Sequence, residues 1–486
     1  MPSPSMPASN RPTTFGWWQI VRLGLVQACL GAVVVMTTST LNRVMVVELA
    51  LPALVPGALV ALHYLVQMLR PRLGHGSDQG GRRTPWMTGG MAVLAAGGSL
   101  AALATGWMGT ARGPGLALAV LAFLLIGLGV GACGTSLLVL LAKRVVPERR
   151  AAAATVVWLM MIMGFALTSG TAGRLLDPYT PERLVAVTSG VCAIAFLLTV
   201  VALWRLEGQP QQVRDDQAVQ AKRPNFGIAI RQVWADPTAR LFTVFIFVSM
   251  LAYSAQDLIL EPFAGSVFGY TPGRSTQLSG VQHGGVLVGM LLATLAGRRL
   301  RGISTGSLKA WIVGGCLLSA LAMGGLVMAG LQGPGWPFVP NVVLLGVANG
   351  AFSIAAIGLM MALAGQAGDG TEGVRMGLWG ASQAVAFGLG GIVGTGASDL
   401  ARWLISSPGP AYGAVFAAEG LLFGMSAVLA WRIKVAVGAG AAATGSGSDR
   451  DSDSASARNS PAPRSAPSSR SPSHGRLGPD LAEATS

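Results

Sequence analysis

Two histidines inside apolar segments are the side chains of this sequence best suited to hold a ligand. His63 follows Pro52 by eleven residues, and His283 follows Pro272 by eleven residues. A neutral imidazole is a good axial ligand for a metal ion held in a macrocycle. The alternative is that each histidine is hydrogen-bonded to a neighbouring helix. The residues themselves leave both interpretations open.

Four charged residues form a second candidate group at the ends of two apolar segments. Arg43 and Glu48 end the first segment, while Asp257 and Glu261 end the seventh. Ionisable side chains at membrane depth are costly, and they are functional candidates by default. We predict either simple interfacial ion pairs or a gate at these positions.

A short loop after the second apolar segment resembles the G-x-x-x-D-x-x-G-R-R signature of major facilitator proteins. Its defining residues are Gly74, Asp78, Gly81, Arg82 and Arg83. The glycines allow a tight turn, the acid can face a helix N-terminus or an arginine, and the basic pair can contact lipid phosphates. We interpret the loop as a conformational latch. The alternative is a basic turn that only fixes membrane topology.

The residue patterns of an enzyme are missing from the sequence. It has no P-loop, no H-E-x-x-H pair, no Ser-His-Asp spacing and no paired cysteines. Its four cysteines lie singly in apolar segments, as small buried residues do. Glycines between 127 and 134 superficially match a dinucleotide motif, but close helix packing explains them better. We predict neither an enzyme nor a structural metal site.

The composition indicates a membrane protein. Of 486 residues, 52% are hydrophobic and only 11% are charged, whereas a soluble chain carries roughly a quarter charged residues. The net charge of +14 could suggest a nucleic-acid partner. The lysines and arginines instead collect in every second connection between apolar segments, which is an orientation signal. We therefore predict contact with a lipid bilayer and no nucleic-acid partner.

Twelve apolar segments approach the length of about 20 residues that a spanning helix needs. They lie near 18–41, 50–69, 86–107, 115–142, 152–173, 184–204, 239–262, 277–297, 308–331, 338–365, 375–398 and 411–433. The basic connections follow the even-numbered segments, which predicts that both termini are cytoplasmic. Similar Gly-Ala and Trp spacings in the two sets of six indicate duplicated halves.

The order of these segments predicts an all-α membrane protein with five regions. They are a cytoplasmic lead at 1–16, a six-helix half at 17–204, a cytoplasmic connection at 205–238, a second six-helix half at 239–434 and a disordered cytoplasmic tail at 435–486. The tail is rich in Ser, Ala, Pro, Gly and Arg, so it cannot bury enough apolar surface to offset the entropy of ordering.

Several stretches together resemble the PucC/LhaA family within the major facilitator superfamily. They are Leu41–Leu49 at the end of the first segment, the Gly74–Asp78 loop, Leu260–Gly269 at the end of the seventh segment and Gly377–Gln383 in the eleventh. The resemblance covers most of residues 15–435 and leaves the tail outside. It implies a major facilitator fold of about twelve transmembrane helices in two pseudo-symmetric halves.

The resemblance also implies a function in phototrophic bacteria. Members of that family are implicated in assembling light-harvesting complexes and in delivering bacteriochlorophyll to antenna polypeptides. The implied cargo is bacteriochlorophyll or a precursor, and the implied partners are antenna polypeptides and enzymes of pigment synthesis. The implied location is the inner, intracytoplasmic photosynthetic membrane. His63 or His283 would then coordinate the pigment magnesium.

Two alternatives stay open at this point. One is a transporter that moves a porphyrin-like or other amphipathic solute by alternating access. The other is a chaperone that contacts antenna helices laterally and holds no pigment. The fourth segment has no arginine and the fifth has no proline, although proton-coupled exporters of the superfamily typically carry an arginine and a Gly-Pro pair there. Those absences favour pigment delivery over conventional export.

Overall fold

A computed structural model describes residues 14–69, 82–207, 226–299, 305–365 and 372–433, and all regular structure within these ranges is helical. We number the helices in chain order. Their bounds are α1 Trp17–Glu48, α2 Leu54–Val66, α3 Thr84–Trp107, α4 Arg112–Arg144, α5 Pro147–Leu175, α6 Pro181–Leu203, α7 Phe226–Ala235, α8 Pro237–Phe268, α9 Pro272–Arg299, α10 Thr305–Gln332, α11 Phe338–Gly365, α12 Glu372–Leu404 and α13 Pro408–Arg432.

Eleven of the described helices are long and apolar enough to cross a membrane. The second predicted span is a shorter apolar helix, Leu54–Gln67, and the ten-residue α7 precedes the seventh span. Since a helix in hydrocarbon satisfies its own backbone groups, apolar runs of this length fold as helices in a bilayer. The predicted all-α membrane fold is confirmed, with one span shorter than expected.

Two large hydrophobic cores divide the described helices into halves, and a smaller cluster around Ile162, Val286 and Ile354 joins α5 to α9 and α11 across them. One core draws on residues between Phe15 and Leu206, with Leu258 added from α8. The other draws on residues between Val233 and Ile433. We call these the first half, α1–α6, and the second half, α8–α13. The predicted tail at 435–486 lies outside the described residues, and the predicted region boundaries stay predictions.

The direction of α1 defines two sides of the membrane. We call the side on which α1 begins the proximal side and the side on which it ends the distal side. Asp236 lies on the proximal side, where it caps α8 by accepting from the amide of Thr238 at 2.8 Å and pairs with Arg375 at 2.8 Å. Burial alone would raise the pKa of Asp236, but these hydrogen bonds outweigh it and hold the pKa below its usual value.

Glycines let helices of one half approach to backbone contact. A methyl group added at Gly289 of α9 would overlap the carbonyl oxygen of Val347 on α11. A methyl group added at Gly284 of the same helix would meet nothing within 4 Å. Small residues at such crossings bring membrane helices into close van der Waals contact.

The substitution Gly289→Ala should destabilise the protein, whereas Gly284→Ala should leave it unchanged or slightly stabilised. Overpacking of a tight contact costs about 1–3 kcal/mol because α9 and α11 must move apart. The measurement is the thermal unfolding midpoint of both purified variants in detergent. Equal midpoints for the two variants would show that the crossing at Gly289 is not tight.

Candidate functional site

Two π-helical segments distort the distal end of α1. They are Met36–Thr40 and Val44–Glu48, separated by one α-helical stretch, Leu41–Arg43. A π-helical turn widens the helix, and such turns occur often at functional sites. Polar side chains of this region contact α8 and α9 of the second half. The predicted span ends at residue 41, because the polar residues that follow lower the hydropathy of the segment.

Ser39 joins the two halves through a carboxylate. Its hydroxyl hydrogen-bonds to Oε1 of Glu261 on α8 and lies 3.2 Å from the hydroxyl of Ser279 on α9. All three side chains are buried. Glu261, one of the predicted gating or ion-pair residues, therefore takes part in a contact between the halves. The second carboxyl oxygen of Glu261, Oε2, has no hydrogen-bond partner among the described residues.

Two further hydrogen bonds from α1 cross the same interface. The hydroxyls of Thr40 and Thr276 lie 3.0 Å apart, and Asn42 donates through Nδ2 to the carbonyl of Leu258 at 2.6 Å. Buried polar groups that lack partners cost free energy, so each bond favours contact between the halves. The side-chain oxygen of Asn42 is buried and has no such partner among the described residues.

Arg43 and Glu48 form an ion pair, which is one of the two roles predicted for these residues; the other is a gate. The Arg43 guanidinium pairs through Nη1 with Glu48 and donates through Nη2 to the carbonyl of Tyr270 at 2.6 Å. Arg43 is 2% exposed, while the side chain of Glu48 is 34% exposed. Because Tyr270 follows α8, this pair also links the halves, so ion pairing and gating are compatible at this position.

His283 lies on α9 with one ring nitrogen engaged and the other available. Nδ1 is 2.9 Å from the carbonyl oxygen of Ser279, and the ring packs edge-on against Phe165 of α5 at 4.9 Å between centroids. A proton on Nδ1 leaves a lone pair on Nε2. Nε2 has no hydrogen bond to any described residue, and the half-buried Asp257 lies within electrostatic reach of the ring.

His63 is equally buried, but both of its ring nitrogens have partners on its own helix. Nδ1 lies 3.1 Å from the carbonyl oxygen of Val60, and Nε2 lies 2.8 Å from the amide nitrogen of Gln67. The adjacent Tyr64 packs against Phe387 of α12 at 5.4 Å between centroids. The two histidines therefore differ in the one property that a metal ligand needs, an available lone pair.

The predicted latch loop falls largely outside the described residues, which exclude Gly74, Asp78 and Gly81. Of its two basic residues, Arg82 is exposed and Arg83 is buried. Glu207 accepts from the amides of Arg83 and Thr84 and so caps the N-terminus of α3. The latch function stays a prediction.

Two acidic residues hold the distal ends of the two halves together. Neither was predicted from the sequence. Asp399 on α12 accepts from the backbone amides of Ala53 and Leu54 at 2.9 and 2.8 Å, so a residue of the second half caps α2 of the first. Asp177, just after α5, accepts from the hydroxyl of Thr271 at 3.1 Å. A single acid near the end of an apolar segment is the only sequence signal for this role.

The substitution Asp399→Ala should loosen the distal closure. Loss of a helix cap costs about 1 kcal/mol, and here the cap also joins the halves. The measurement is maleimide labelling of a Ser279→Cys reporter from the distal side, and labelling should become several-fold faster. The four native cysteines are buried and give a low background. Asp399→Asn keeps one acceptor oxygen and serves as the control. Unchanged labelling in Asp399→Ala would show that this contact does not hold the halves together.

The fold and this interface define a polytopic membrane protein of the major facilitator type. The D-xylose–proton symporter has a TM-score of 0.65 at 15% identity, with 86% of this chain and 97% of the symporter covered. The nucleoside transporter NupG has a TM-score of 0.62 at 12% identity, with 85% and 100% covered. At such low identity these similarities show the fold alone.

The sequence comparisons give the family. Residues 40–437 match the model of the family described as PUCC protein. The bacteriochlorophyll synthase 44.5 kDa chain of Rhodobacter capsulatus is 54% identical over 86% of this chain and 95% of its own. Protein PucC of Cereibacter sphaeroides is 32% identical over 83% and 90%, respectively. The chain belongs to the PucC family, as its sequence motifs predicted.

Proposed function

We propose that this protein binds bacteriochlorophyll or a precursor between its two halves and delivers it to antenna polypeptides during assembly of light-harvesting complexes. Membership of the PucC family and the bacteriochlorophyll-related name of a relative at 54% identity support a role in pigment handling. The observation that carries the proposal is the available Nε2 of His283 in the polar interface between α1, α8 and α9.

The imidazole of His283 has the chemistry that a magnesium ligand needs. The Ser279 carbonyl fixes the ring so that Nε2 can donate its lone pair, as in other sites where a backbone carbonyl orients a metal-binding imidazole. The preceding residue, Gln282, has a buried side-chain nitrogen without a partner among the described residues, which is a second unused polar group on this part of α9. The bound pigment would supply the magnesium that His283 coordinates.

His63 is a second candidate ligand in this proposal, but it requires a local change. Gln67 must leave Nε2 of His63 before that nitrogen can bind magnesium, since an occupied lone pair cannot coordinate a metal. The proposal therefore assigns the pigment to His283 first. In either case the protein binds and releases its cargo and catalyses no covalent step.

The proposal extends to membrane and partners. We place the protein in the inner, intracytoplasmic photosynthetic membrane, with the proximal side and both termini in the cytoplasm, on the distribution of basic residues. Antenna polypeptides would receive the pigment from the bilayer, and enzymes of pigment synthesis would supply it. The protein offers lipid-exposed apolar side chains along its spans, so both exchanges can occur laterally within the membrane.

The test is purification of the full chain from a phototrophic host in mild detergent, followed by an absorption spectrum. The proposal expects a near-infrared pigment band that co-elutes with the protein and a pigment-to-protein ratio near one. A host strain that makes the pigment but lacks this protein is the control for detergent-solubilised pigment. Protein purified from pigment-containing membranes without any such band would contradict the proposal.

A transporter of an amphipathic solute is the second candidate. The hydrogen bonds of Ser39, Arg43 and Asp399 close the distal side between two halves of a transporter-like fold. Reconstitution into liposomes separates the two functions: a transporter exchanges solute across the bilayer, whereas a delivery protein passes pigment to added antenna peptide in the same membrane. Solute exchange without pigment transfer would favour the transporter.

A further inference from the structure

Glu419 is a carboxyl group buried in the middle of the last spanning helix. It lies near the centre of α13, Pro408–Arg432, and is 3% exposed. Both of its carboxyl oxygens are buried without a hydrogen-bond partner among the described residues. The contacts of the inter-half site described above do not involve it, and native proteins rarely bury a polar group in this way.

The neighbours of Glu419 on α13 show which way it faces. Phe416 packs against Phe263 of α8 at 5.0 Å between centroids, and Phe423 packs against Phe352 of α11 at 6.0 Å. Residues three or four positions apart share one helix face, so Glu419 lies on the same face as both phenylalanines. It therefore points into the core of the second half, away from lipid.

Three other polar side chains are hydrogen-bonded to one another in the core of the second half. Ser319 donates to Oδ1 of Asn349 at 2.8 Å, and Asn349 donates through Nδ2 to Gln256 at 2.8 Å. Asn349 precedes Phe352 by about one turn, as Glu419 precedes Phe423. Asn349 and Glu419 thus each lie about one turn before one member of a contacting pair of phenylalanines. The side-chain nitrogen of Gln256 is buried without a partner among the described residues.

No charged side chain among the described residues pairs with Glu419. The titratable or charged residues whose side chains are described on α13 and on the helices around it are Tyr412, Arg432, Arg240, Tyr253, Asp257, Glu261, Lys309, Cys316, Arg375, Asp399 and Arg402. None of these forms a hydrogen bond or an ion pair with the carboxyl group of Glu419. An unpaired carboxylate in such a core carries a large desolvation penalty, as other buried ions do in proteins.

We propose that Glu419 is a proton-binding site in the second half of the protein. A bound proton makes the carboxyl group neutral and removes the penalty of burying a charge, which is the largest part of the desolvation cost. A metal cation fits less well, because hard cations need several oxygen ligands and the described residues contain no group of three or more acidic, histidine or cysteine ligands. Release of the proton leaves a carboxylate that has no hydrogen-bond donor among the described residues.

Infrared spectroscopy of the full chain in lipid nanodiscs at neutral pH tests the proposal. Wild type should show the carbonyl stretch of a protonated carboxyl group, and Glu419→Gln should lose that part of the signal. Glu182→Gln, at an exposed position on α6, is the matched control and should leave the band unchanged. Identical bands in wild type and Glu419→Gln would overturn the proposal.

A second variant covers the case in which Glu419→Gln fails to fold. Glu419→Asp keeps the carboxyl group and moves it by one methylene, so its carbonyl band should shift in frequency. An unshifted band would overturn the proposal. Neither measurement depends on bound pigment, so failure here is distinguishable from failure of the proposed function.

Discussion

Replacing His283 by alanine should lower the pigment that co-purifies with the protein by about tenfold or more, on the scale at which loss of a metal-site group reduces affinity. The substitution removes the only ring nitrogen of the two candidate histidines that has an available lone pair. The measurement is the ratio of near-infrared pigment absorption to protein after purification from a pigment-producing host.

The matched control is His63→Ala. His63 is as buried as His283, but Gln67 already occupies its Nε2, so its loss should leave the pigment ratio within about twofold of wild type. Thermal unfolding midpoints of both variants show whether either substitution disrupts the fold. A loss of pigment in His63→Ala with retention in His283→Ala would reverse the assignment. Retention in both would remove histidine ligation from the proposal.

Replacing Arg43 by methionine should lower the free energy of unfolding by about 3 kcal/mol, more than any other substitution proposed above. This value is the lower end of the cost of breaking a buried ion pair. The substitution leaves Glu48 without its cation and the Tyr270 carbonyl without its donor. The lower end applies because Glu48 is about one-third exposed, so water can solvate it after the substitution. The measurement is the unfolding midpoint in detergent.

Arg274 offers a control in the same region. It is exposed, and its guanidinium lies 4.0 Å from the centroid of the Tyr270 ring. An exposed cation–π contact of this kind contributes about 0.5–1 kcal/mol, so Arg274→Met should lower the unfolding midpoint much less than Arg43→Met. Equal effects of the two substitutions would mean that the buried pair does not hold the distal ends of the halves together.

Most of the helical layout follows from the sequence, and the exceptions have local causes. The first span was predicted at 18–41 but continues to Glu48, since its polar π-helical turns are buried against the second half rather than exposed to lipid. The second span was predicted at 50–69 but its α-helix covers Leu54–Val66. Hydropathy measures how favourably a segment transfers into lipid. It therefore places the ends of a helix wrongly when the polar face of that helix is buried against protein.

The matched sequence positions of His63 and His283 do not predict that the two side chains have different hydrogen bonds. Their matched distances from Pro52 and Pro272 gave them the same candidate role. The fourth residue after His63 is Gln67, which bonds its ring, whereas the fourth residue after His283 is Leu287, which cannot. Neighbours at this spacing share a helix face, so this difference was available in the sequence. Only the coordinates show that Gln67 adopts the bonding rotamer.

Hydropathy, basic connections and family motifs are local properties, so they already predict a membrane protein of two six-helix halves in the PucC family. Which polar groups contact one another follows only from the packing of the helices. Ser39 and Glu261 are 222 residues apart, and Asp399 caps a helix more than 300 residues away. The tertiary structure also shows that Glu419 has no hydrogen-bond partner among the described residues. Such pairings depend on how helices pack, and a single sequence does not encode them in any local pattern.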